Sequence, residues 1–162
     1  MLRMTKQTDY GFVLLTRLAV EPGKAMNAPD LAGETKLPLP MVSKILKLLV
    51  RQGLLASHRG VKGGYALARP AAEIHAAEIL RALEGAVALT VCVEGSPGEC
   101  DREHFCTVRG PWQRINKAVF EALAGVTLAE LAGETAPRLV KLGSGISGTR
   151  IRIDAGSRVE SH

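Results

Sequence analysis

Apolar side chains recur every three or four positions along the first fifty residues, which predicts a series of short amphipathic helices. The first helix is predicted over residues 8–21, and Pro22 follows directly after it. The second is predicted over residues 28–34, with Asn27 as its N-cap. A short turn over residues 35–38 separates the second helix from a third.

The third predicted helix, residues 39–53, carries an apolar stripe that we expect to lie in the core. The stripe consists of Val42, Ile45, Leu46 and Leu49. The basic residues of this helix lie mostly off the stripe. A basic helix that follows another helix after a turn of three or four residues is typical of a helix-turn-helix.

The next segment, residues 54–69, predicts a β-hairpin with a glycine-rich basic tip over residues 58–64. Glycines allow the backbone to approach a phosphate closely, and the cations of the tip supply complementary charge. A hairpin directly after a recognition helix is the wing of a winged helix-turn-helix. A further helix is predicted over residues 71–85, with Ile74, Ile79, Leu80 and Leu83 facing inward.

Beyond residue 85 the pattern changes to a polar loop rich in cysteine, glycine and proline, followed by a strongly amphipathic helix over residues 110–125. A capping box that begins at Thr127 predicts a last short helix. The expected fold is mainly α with a small β wing: a winged helix-turn-helix with a long C-terminal dimerisation helix. The expected divisions are 1–85 for DNA binding, 86–109 for the cysteine loop, 110–133 for the dimerisation and terminal helices, and 134–162 as a flexible tail.

Composition supports a helical fold and permits a nucleic-acid partner. Aromatic residues make up only 4% of the 162 residues, which argues against a β-sandwich, and the formal net charge is +5. The sequence contains neither a signal-peptide pattern nor a run of eighteen apolar residues. We therefore expect a cytoplasmic protein with no membrane partner.

The basic face of the third helix and the wing predict an interface for double-stranded DNA. Lysine and arginine side chains are expected mainly to contact phosphates, whereas Ser43, Lys44 and Arg59 are candidates for reading base edges. The alternative is an ordinary helical hairpin with a solvated lysine face, but the order of turn, basic helix and basic hairpin favours DNA. The candidate contacts are Ser43, Lys44, Lys47, Arg51, His58, Arg59 and Lys62.

All three cysteines lie within one 15-residue stretch, with the spacing C-x7-C-x5-C at Cys92, Cys100 and Cys106. Three thiolates on a flexible loop can ligate a metal or an iron–sulfur cluster. Zinc usually uses a closer C-x2–4-C pair, so the wide spacing favours a cluster. A fourth ligand must come from a histidine or a carboxylate, and His104 is a local candidate. Three unrelated thiols are the alternative, although the segment is too polar for a core.

The amphipathic helix over residues 110–125 is either core or a subunit interface. A compact winged domain leaves little core for this helix to cover, so we expect a homodimer that matches two half-sites of a pseudo-palindromic operator. The expected contact residues are Trp112, Ile115, Val119 and Leu123. The sequence contains no catalytic constellation and no C-x-x-C pair, so we expect neither an enzyme, such as a thiol redox protein, nor a small-molecule substrate.

The motifs RMTKQTDY at 3–10, RGVKGGYALA at 59–68 and the three-cysteine loop resemble winged-helix iron–sulfur regulators typified by IscR and NsrR. The resemblance covers roughly residues 3–133. The segment 100–116, together with TLAEL at 127–131, is most similar to the branch that regulates SUF cluster-assembly operons. The resemblance implies a dimer in which residues 110–124 form a helix that crosses between subunits.

The resemblance also implies that Cys92, Cys100 and Cys106 ligate an iron–sulfur cluster. IscR has a histidine ligand three residues after the third cysteine, but Arg109 stands there in this chain, and the first cysteine gap is longer than in IscR. NsrR uses the aspartate of a Thr-Asp pair that Thr8 and Asp9 match. Asp9 is thus the first choice for the fourth ligand, unless it only caps the first helix, and His104 the second. A [2Fe–2S] cluster is favoured over [4Fe–4S].

The function expected from the sequence is a transcription regulator that senses an iron–sulfur cluster and controls SUF-type assembly genes. The alternatives are a winged-helix regulator with a purely structural zinc ion, and a thiol redox enzyme. Visible absorbance would distinguish the cluster from zinc.

Overall fold

The computed structural model describes residues 4–60, 63–85, 89 and 106–133. Three helices come first, and they confirm the predicted helix-turn-helix. They are α1 (Lys6–Val20), α2 (Ala28–Thr35) and α3 (Leu39–Arg51). The turn between α2 and α3 contains Lys36, whose φ of 56° is left-handed and ends α2.

The N-caps of α1 and α2 account for where these helices begin. The hydroxyl of Thr5 accepts a hydrogen bond from the backbone N–H of Thr8, so α1 begins two residues earlier than predicted. The side chain of Asn27 accepts one from the backbone N–H of Asp30 at 2.8 Å, as predicted. The apolar stripe of α3 is fully buried, which fixes how this helix rotates about its axis.

The wing is an antiparallel pair of strands, β1 (Leu55–His58) and β2 (Gly64–Leu67), with Leu55 opposite Leu67 and His58 opposite Gly64. The part of β2 that lies next to the wing tip is bound to the segment that precedes α2. Met26 and Tyr65 exchange two backbone hydrogen bonds, of 3.0 and 2.8 Å. The wing is therefore attached to the helix-turn-helix at a point close to the start of α2.

The predicted helix over residues 71–85 is wrong near its start. A 3₁₀ turn (Ala71–Glu73) and α4 (Ala76–Glu84) replace it, and Ile74 is extended with φ −104° and ψ 122°. The reason is a non-local backbone pairing. The Ile74 carbonyl accepts from the N–H of Leu128 at 2.7 Å, and the N–H of Ala76 donates to Val126 at 2.9 Å. The side chain of Ile74 is nevertheless buried, as predicted.

The last two helices are α5 (Arg109–Ala124) and α6 (Leu128–Ala132). The predicted capping box is confirmed, because Thr127 and Glu130 each accept a hydrogen bond from the other's backbone N–H. Helix α6 packs against α1 and the 3₁₀ turn, and Leu128 is completely buried. The chain after α5 thus returns to the core of the winged domain. No helix in the described ranges is both long and apolar enough to cross a bilayer.

One hydrophobic core joins α1, α2, α3, α4 and α6. Val13 and Val20 of α1 lie outside this core and are exposed. The buried side chains of α1, which include Leu14, Leu15 and Leu18, lie on the face of the helix that packs on the core. The largest completely buried side chains are Leu14, Leu15, Leu31, Ile45, Leu46, Leu49, Leu54, Ile74, Ile79 and Leu128.

Helices α1 and α4 meet at a hydrogen-bonded junction formed by Thr5, Thr8 and Glu84. One carboxylate oxygen of Glu84 accepts from the backbone N–H of Thr5 at 3.0 Å, from the Thr5 hydroxyl at 2.7 Å, and from the Thr8 hydroxyl. These bonds, first from Thr8 and then from Thr5, lower the pKa of Glu84 against the opposing effect of desolvation. The last residue of α4 is thereby bound to the first turn of α1.

The same two helices pack closely beside this junction. A Cβ on Gly11 would overlap the end of the Leu83 side chain, so glycine permits the close approach. The side-chain amide of Gln7 donates to the Leu83 carbonyl at 3.5 Å. The point where the chain leaves α4 towards the cysteine loop is therefore fixed relative to α1.

We expect opposite effects on stability from alanine at two glycines. A Cβ on Gly64 would lie 2.5 Å from the carbonyl oxygen of Met26, so Gly64→Ala should reduce the free energy of unfolding by about 1–3 kcal/mol. Gly33 has open space around it within α2, so Gly33→Ala should increase that free energy by about 0.5–1 kcal/mol. Urea denaturation measures both changes. A Gly64→Ala variant as stable as the wild type would contradict the close backbone approach.

A second prediction concerns the Glu84 junction in acid. Because the pKa of Glu84 is lowered by folding, its contribution to stability is present above the ordinary carboxyl pKa. That contribution is lost as the pH falls through the lowered pKa. In urea denaturation, Glu84→Gln should therefore have a lower free energy of unfolding than the wild type near neutral pH. This difference should disappear in acid.

The control for this experiment is Glu73→Gln. In the part of the chain that the structure describes, the exposed Glu73 carboxylate has no hydrogen-bond partner. This variant should follow the wild-type stability at every pH. A deficit for Glu84→Gln that is the same at all pH values would mean that the charge of Glu84 does not stabilise the junction.

Candidate nucleic-acid interface and cysteine site

The outward face of α3 carries a regular stripe of exposed side chains. Pro40, Lys44, Lys47 and Arg51 follow i, i+4, i+7 and i+11 spacing and are all exposed. Ser43 lies beside this stripe and is half-buried. Because the opposite face of α3 is buried, the basic stripe faces away from the core.

The wing presents a second basic surface. His58 ends β1, Arg59 follows it, and both side chains are exposed. Gly60 has a φ of 110°, which favours glycine, and its carbonyl accepts a hydrogen bond from the N–H of Gly63 at 2.9 Å. A Cβ on Gly63 would overlap the carbonyl oxygen of His58. Lys62, which the sequence also assigned to the interface, lies outside the described residues.

The cations of these two surfaces lack the ion pairs that several other cations of the fold make. Arg17 and Lys24 pair with glutamates near α1, and Arg69 pairs with Glu78. Lys44, Lys47, Arg51 and Arg59 have no ion pair within the described ranges. Cations with no intramolecular partner are available to neutralise phosphates.

Two of the predicted cluster ligands are described, and they lie far apart in the sequence. Cys106 is half-buried and precedes α5, whereas Asp9 is exposed in the first turn of α1. Cys92, Cys100 and His104 lie outside the described residues. Within those residues, no three histidine, cysteine or carboxylate side chains come together as a metal site.

The role of Asp9 as a helix cap is excluded, because Thr5 caps α1. No hydrogen bond or ion pair of the described chain uses the Asp9 carboxylate, which therefore remains available as a ligand. Asp9 directly follows Thr8 of the α1–α4 junction. Its position is consequently fixed relative to the end of α4, where the cysteine loop begins.

The start of the cysteine loop is also bound to α5. The backbone N–H of Leu89 donates to the side-chain oxygen of Asn116 at 3.0 Å. The guanidinium of Arg81 on α4 lies 5.6 Å from the ring centre of Phe120, a cation–π contact that joins α4 to α5. The segment that follows α4 is thus bound to α5 at Leu89, in addition to the bond between Glu84 and α1. The sequence did not predict this contact.

Helix α5 keeps a large part of its apolar surface exposed. Trp112 is 36% exposed and Ile115 is 47% exposed, while Val119 and Leu123 are half-buried towards the end of the helix. These are the four residues that the sequence assigned to a subunit interface. Their exposure leaves an apolar strip on the single chain.

Sequence reasoning missed the Thr5–Thr8–Glu84 junction and the Asn116 side chain. Two signals pointed to the junction: a threonine before an apolar helix, which is a typical N-cap, and Gly11 inside that helix, which marks a close approach. The Leu89–Asn116 hydrogen bond has no local signal, because it joins residues far apart in the sequence.

Comparison with known proteins identifies the family. Residues 4–134 match the model of the Rrf2 family, described as an iron-dependent transcriptional regulator. Protein aau3 of Rhizobium meliloti is 32% identical over 130 residues, which cover 80% of this chain and 84% of that protein.

Solved structures agree with this result. CymR, the global cysteine regulator of B. subtilis, has 30% identity and a TM-score of 0.68, and the match covers 84% of this chain and 100% of CymR. IscR of T. potens has 27% identity and a TM-score of 0.62, and the match covers 80% of this chain and 85% of IscR. These relatives are regulators rather than enzymes, so the thiol redox alternative has no support. The chain belongs to the Rrf2 family of winged helix-turn-helix transcriptional regulators.

Proposed function

We propose that this chain is a homodimeric regulator that senses an iron–sulfur cluster and controls genes for SUF-type cluster assembly. Membership of the Rrf2 family supports transcription regulation and DNA binding. The main structural support for a DNA interface is that the cations of α3 and the wing have no ion pair within the described residues. The three-cysteine loop and its resemblance to the SUF branch support the finer assignment.

At the operator, the basic stripe of α3 would enter the major groove and the wing would follow the phosphate backbone. Lys47 and Arg51 would neutralise phosphates, and Arg59 would read a base edge from the wing. Ser43 and Lys44 are further base contacts, and His58 and Lys62 complete the wing. A second subunit would present the same surfaces to the other half of a pseudo-palindromic operator.

The apolar strip of α5 would form the dimer contact. Trp112 and Ile115 would be covered by the partner, and Val119 and Leu123 would continue the contact along the helix. A tryptophan and an isoleucine that are exposed in one chain are typical of residues that a subunit interface buries.

The residues fit an iron–sulfur cluster in donor chemistry and in reach. Cys92, Cys100 and Cys106 supply the soft thiolates that such a group requires. Leu89 is bonded to Asn116, and Asn116 lies about 10 Å along the axis of α5 from Arg109, the first residue of the helix. The three residues from Leu89 to Cys92 span at most about 11 Å when they are fully extended. A fully extended chain from Leu89 would therefore bring Cys92 close to the start of α5, which Cys106 precedes.

Asp9 is the proposed fourth ligand, and His104 is the alternative. The Asp9 carboxylate is exposed and unpaired among the described residues, as a ligand from a partner subunit would need to be. A cluster held by thiolates and one carboxylate would supply sensitivity to oxidants and to iron supply. Counts of iron and sulfide per chain would distinguish a [2Fe–2S] from a [4Fe–4S] cluster.

The route from the loop to the DNA runs through α1. Glu84 ends α4 and is hydrogen-bonded to Thr5 and Thr8, and α1 packs against α3. Ordering of the loop and of the first turn of α1 would favour one arrangement of the recognition helices. A coupling of about 1–3 kcal/mol is enough to change operator affinity roughly 5- to 150-fold.

Alanine variants of the three cysteines test the cluster. Protein purified without oxygen should be coloured, and Cys92→Ala, Cys100→Ala and Cys106→Ala should each abolish the visible absorbance and the bound sulfide. Ser96→Ala, a change in the same loop, should keep both. Colourless wild-type protein with one zinc per chain would instead support a structural metal. Colourless protein without metal would favour a metal-free regulator.

The same measurement ranks the two candidates for the fourth ligand. Asp9→Ala should alter the spectrum or the lifetime of the cluster in air more than His104→Ala does. Asp30→Ala, which removes an exposed first-turn carboxylate from α2, is the matched control. A larger effect from His104→Ala would move the ligand to the loop.

DNA binding can be tested with a duplex selected from random-sequence DNA by the full-length protein. Arg59→Ala should weaken binding by about 1–3 kcal/mol and relax base preference, and Lys47→Ala should lower the salt slope by about 1. Lys117→Ala removes the same charge from α5, where Lys117 pairs with Glu121, and should leave affinity unchanged. Unchanged binding by Arg59→Ala and Lys47→Ala would place recognition on another surface.

A further inference from the structure

The tip of the recognition helix is apolar, in contrast to the basic stripe behind it. Leu39, the first residue of α3, is 42% exposed, and Pro40 is exposed at the head of the outward stripe. Pro38 precedes them and supplies no side-chain cap. In the described chain this leucine and both prolines are exposed.

The chemistry of this tip differs from that of the predicted base contacts. Neither proline has a backbone N–H, and the leucine side chain can neither donate nor accept a hydrogen bond. The side chains of the tip therefore cannot read the donor and acceptor pattern of a base pair. The apolar group that the major groove does present is the 5-methyl of thymine.

The charges on α3 indicate which part of the duplex the tip meets. Lys44, Lys47 and Arg51 lie behind Pro40 on the same face, where they can contact phosphates. In a helix-turn-helix the N-terminal residues of the recognition helix contact base edges. A helix held by these cations would thus direct Leu39 and Pro40 at the floor of the groove.

We propose that Leu39 and Pro40 form a thymine-methyl reader at the tip of α3. This inference rests on the proposed docking of α3 in the major groove, and it does not depend on the cysteine site. It assigns part of the base preference to side chains without any hydrogen-bonding group. The polar contacts of Ser43 and Lys44 would read the neighbouring positions.

Uracil substitution tests this directly, because uracil differs from thymine only by the missing methyl. The probe is the duplex selected from random-sequence DNA by full-length protein purified without oxygen, with each thymine replaced in turn by uracil. At one or two thymines per half-site, uracil should weaken binding about fourfold, the value for burying one methyl-sized group. Elsewhere uracil should change the Kd less than twofold.

The protein variants then connect the methyl to the tip. Leu39→Ala and Pro40→Ala should each weaken binding to the thymine duplex and lose sensitivity to uracil at the same positions. Alanine is favourable within a helix, so both variants should keep α3 intact. Val20→Ala removes an exposed apolar side chain from α1 and should bind thymine and uracil duplexes as the wild type does.

Three results would overturn the inference. These are a selected half-site without thymine, a wild-type Kd that uracil changes less than twofold at every position, and variants that stay as sensitive to uracil as the wild type. The Lys47→Ala variant distinguishes two explanations of such results: that the tip does not read methyl groups, and that α3 does not dock in the major groove. If Lys47→Ala weakens binding while uracil has no effect, α3 docks but its tip does not read methyl groups. If Lys47→Ala also has no effect, the docking is wrong.

Discussion

The packing of α1 against the other elements is the constraint on which this structure depends. Helix α1 contacts α2, α3, α4, α6 and β2, and its inner leucines are completely or almost completely buried. Gly11 permits the close approach to α4, and the Glu84 carboxylate binds the ends of the two helices together. The same helix thus supports the recognition helix and lies beside the start of the cysteine loop. A change at the loop has a short physical route to the DNA surface.

The sequence predicted the helix-turn-helix and the wing well, because their signals are local. The stripe of α3 repeats with the helical period, and the turn glycines mark the wing. The same reasoning failed at Ile74, where apolar spacing predicted helix but backbone pairing with Leu128 requires an extended chain. That pairing joins residues more than fifty positions apart, which no local pattern can show. The Leu89–Asn116 bond was missed for the same reason.

For the candidate sites, sequence identifies chemistry more readily than arrangement. The cations of α3 were predicted from charge, but their lack of acidic partners, in contrast to Arg17 and Arg69, is visible only in the structure. Asp9 was a choice between helix cap and ligand, and the observed capping by Thr5 removes the first role. The exposed apolar tip of α3 became apparent only when its burial could be compared with that of the stripe.

Because α6 returns to the core, the winged domain depends on residues that follow α5 in the chain. Leu128 is completely buried, and its N–H is bonded to Ile74 beside the start of α4, while Glu84 closes the other end of α4 on α1. Helix α5 is therefore inserted into the winged domain rather than appended to it. Truncation within α5 would remove Leu128 and the rest of α6 from the core, so a fragment that ends after the wing would lack part of the core of the DNA-binding half.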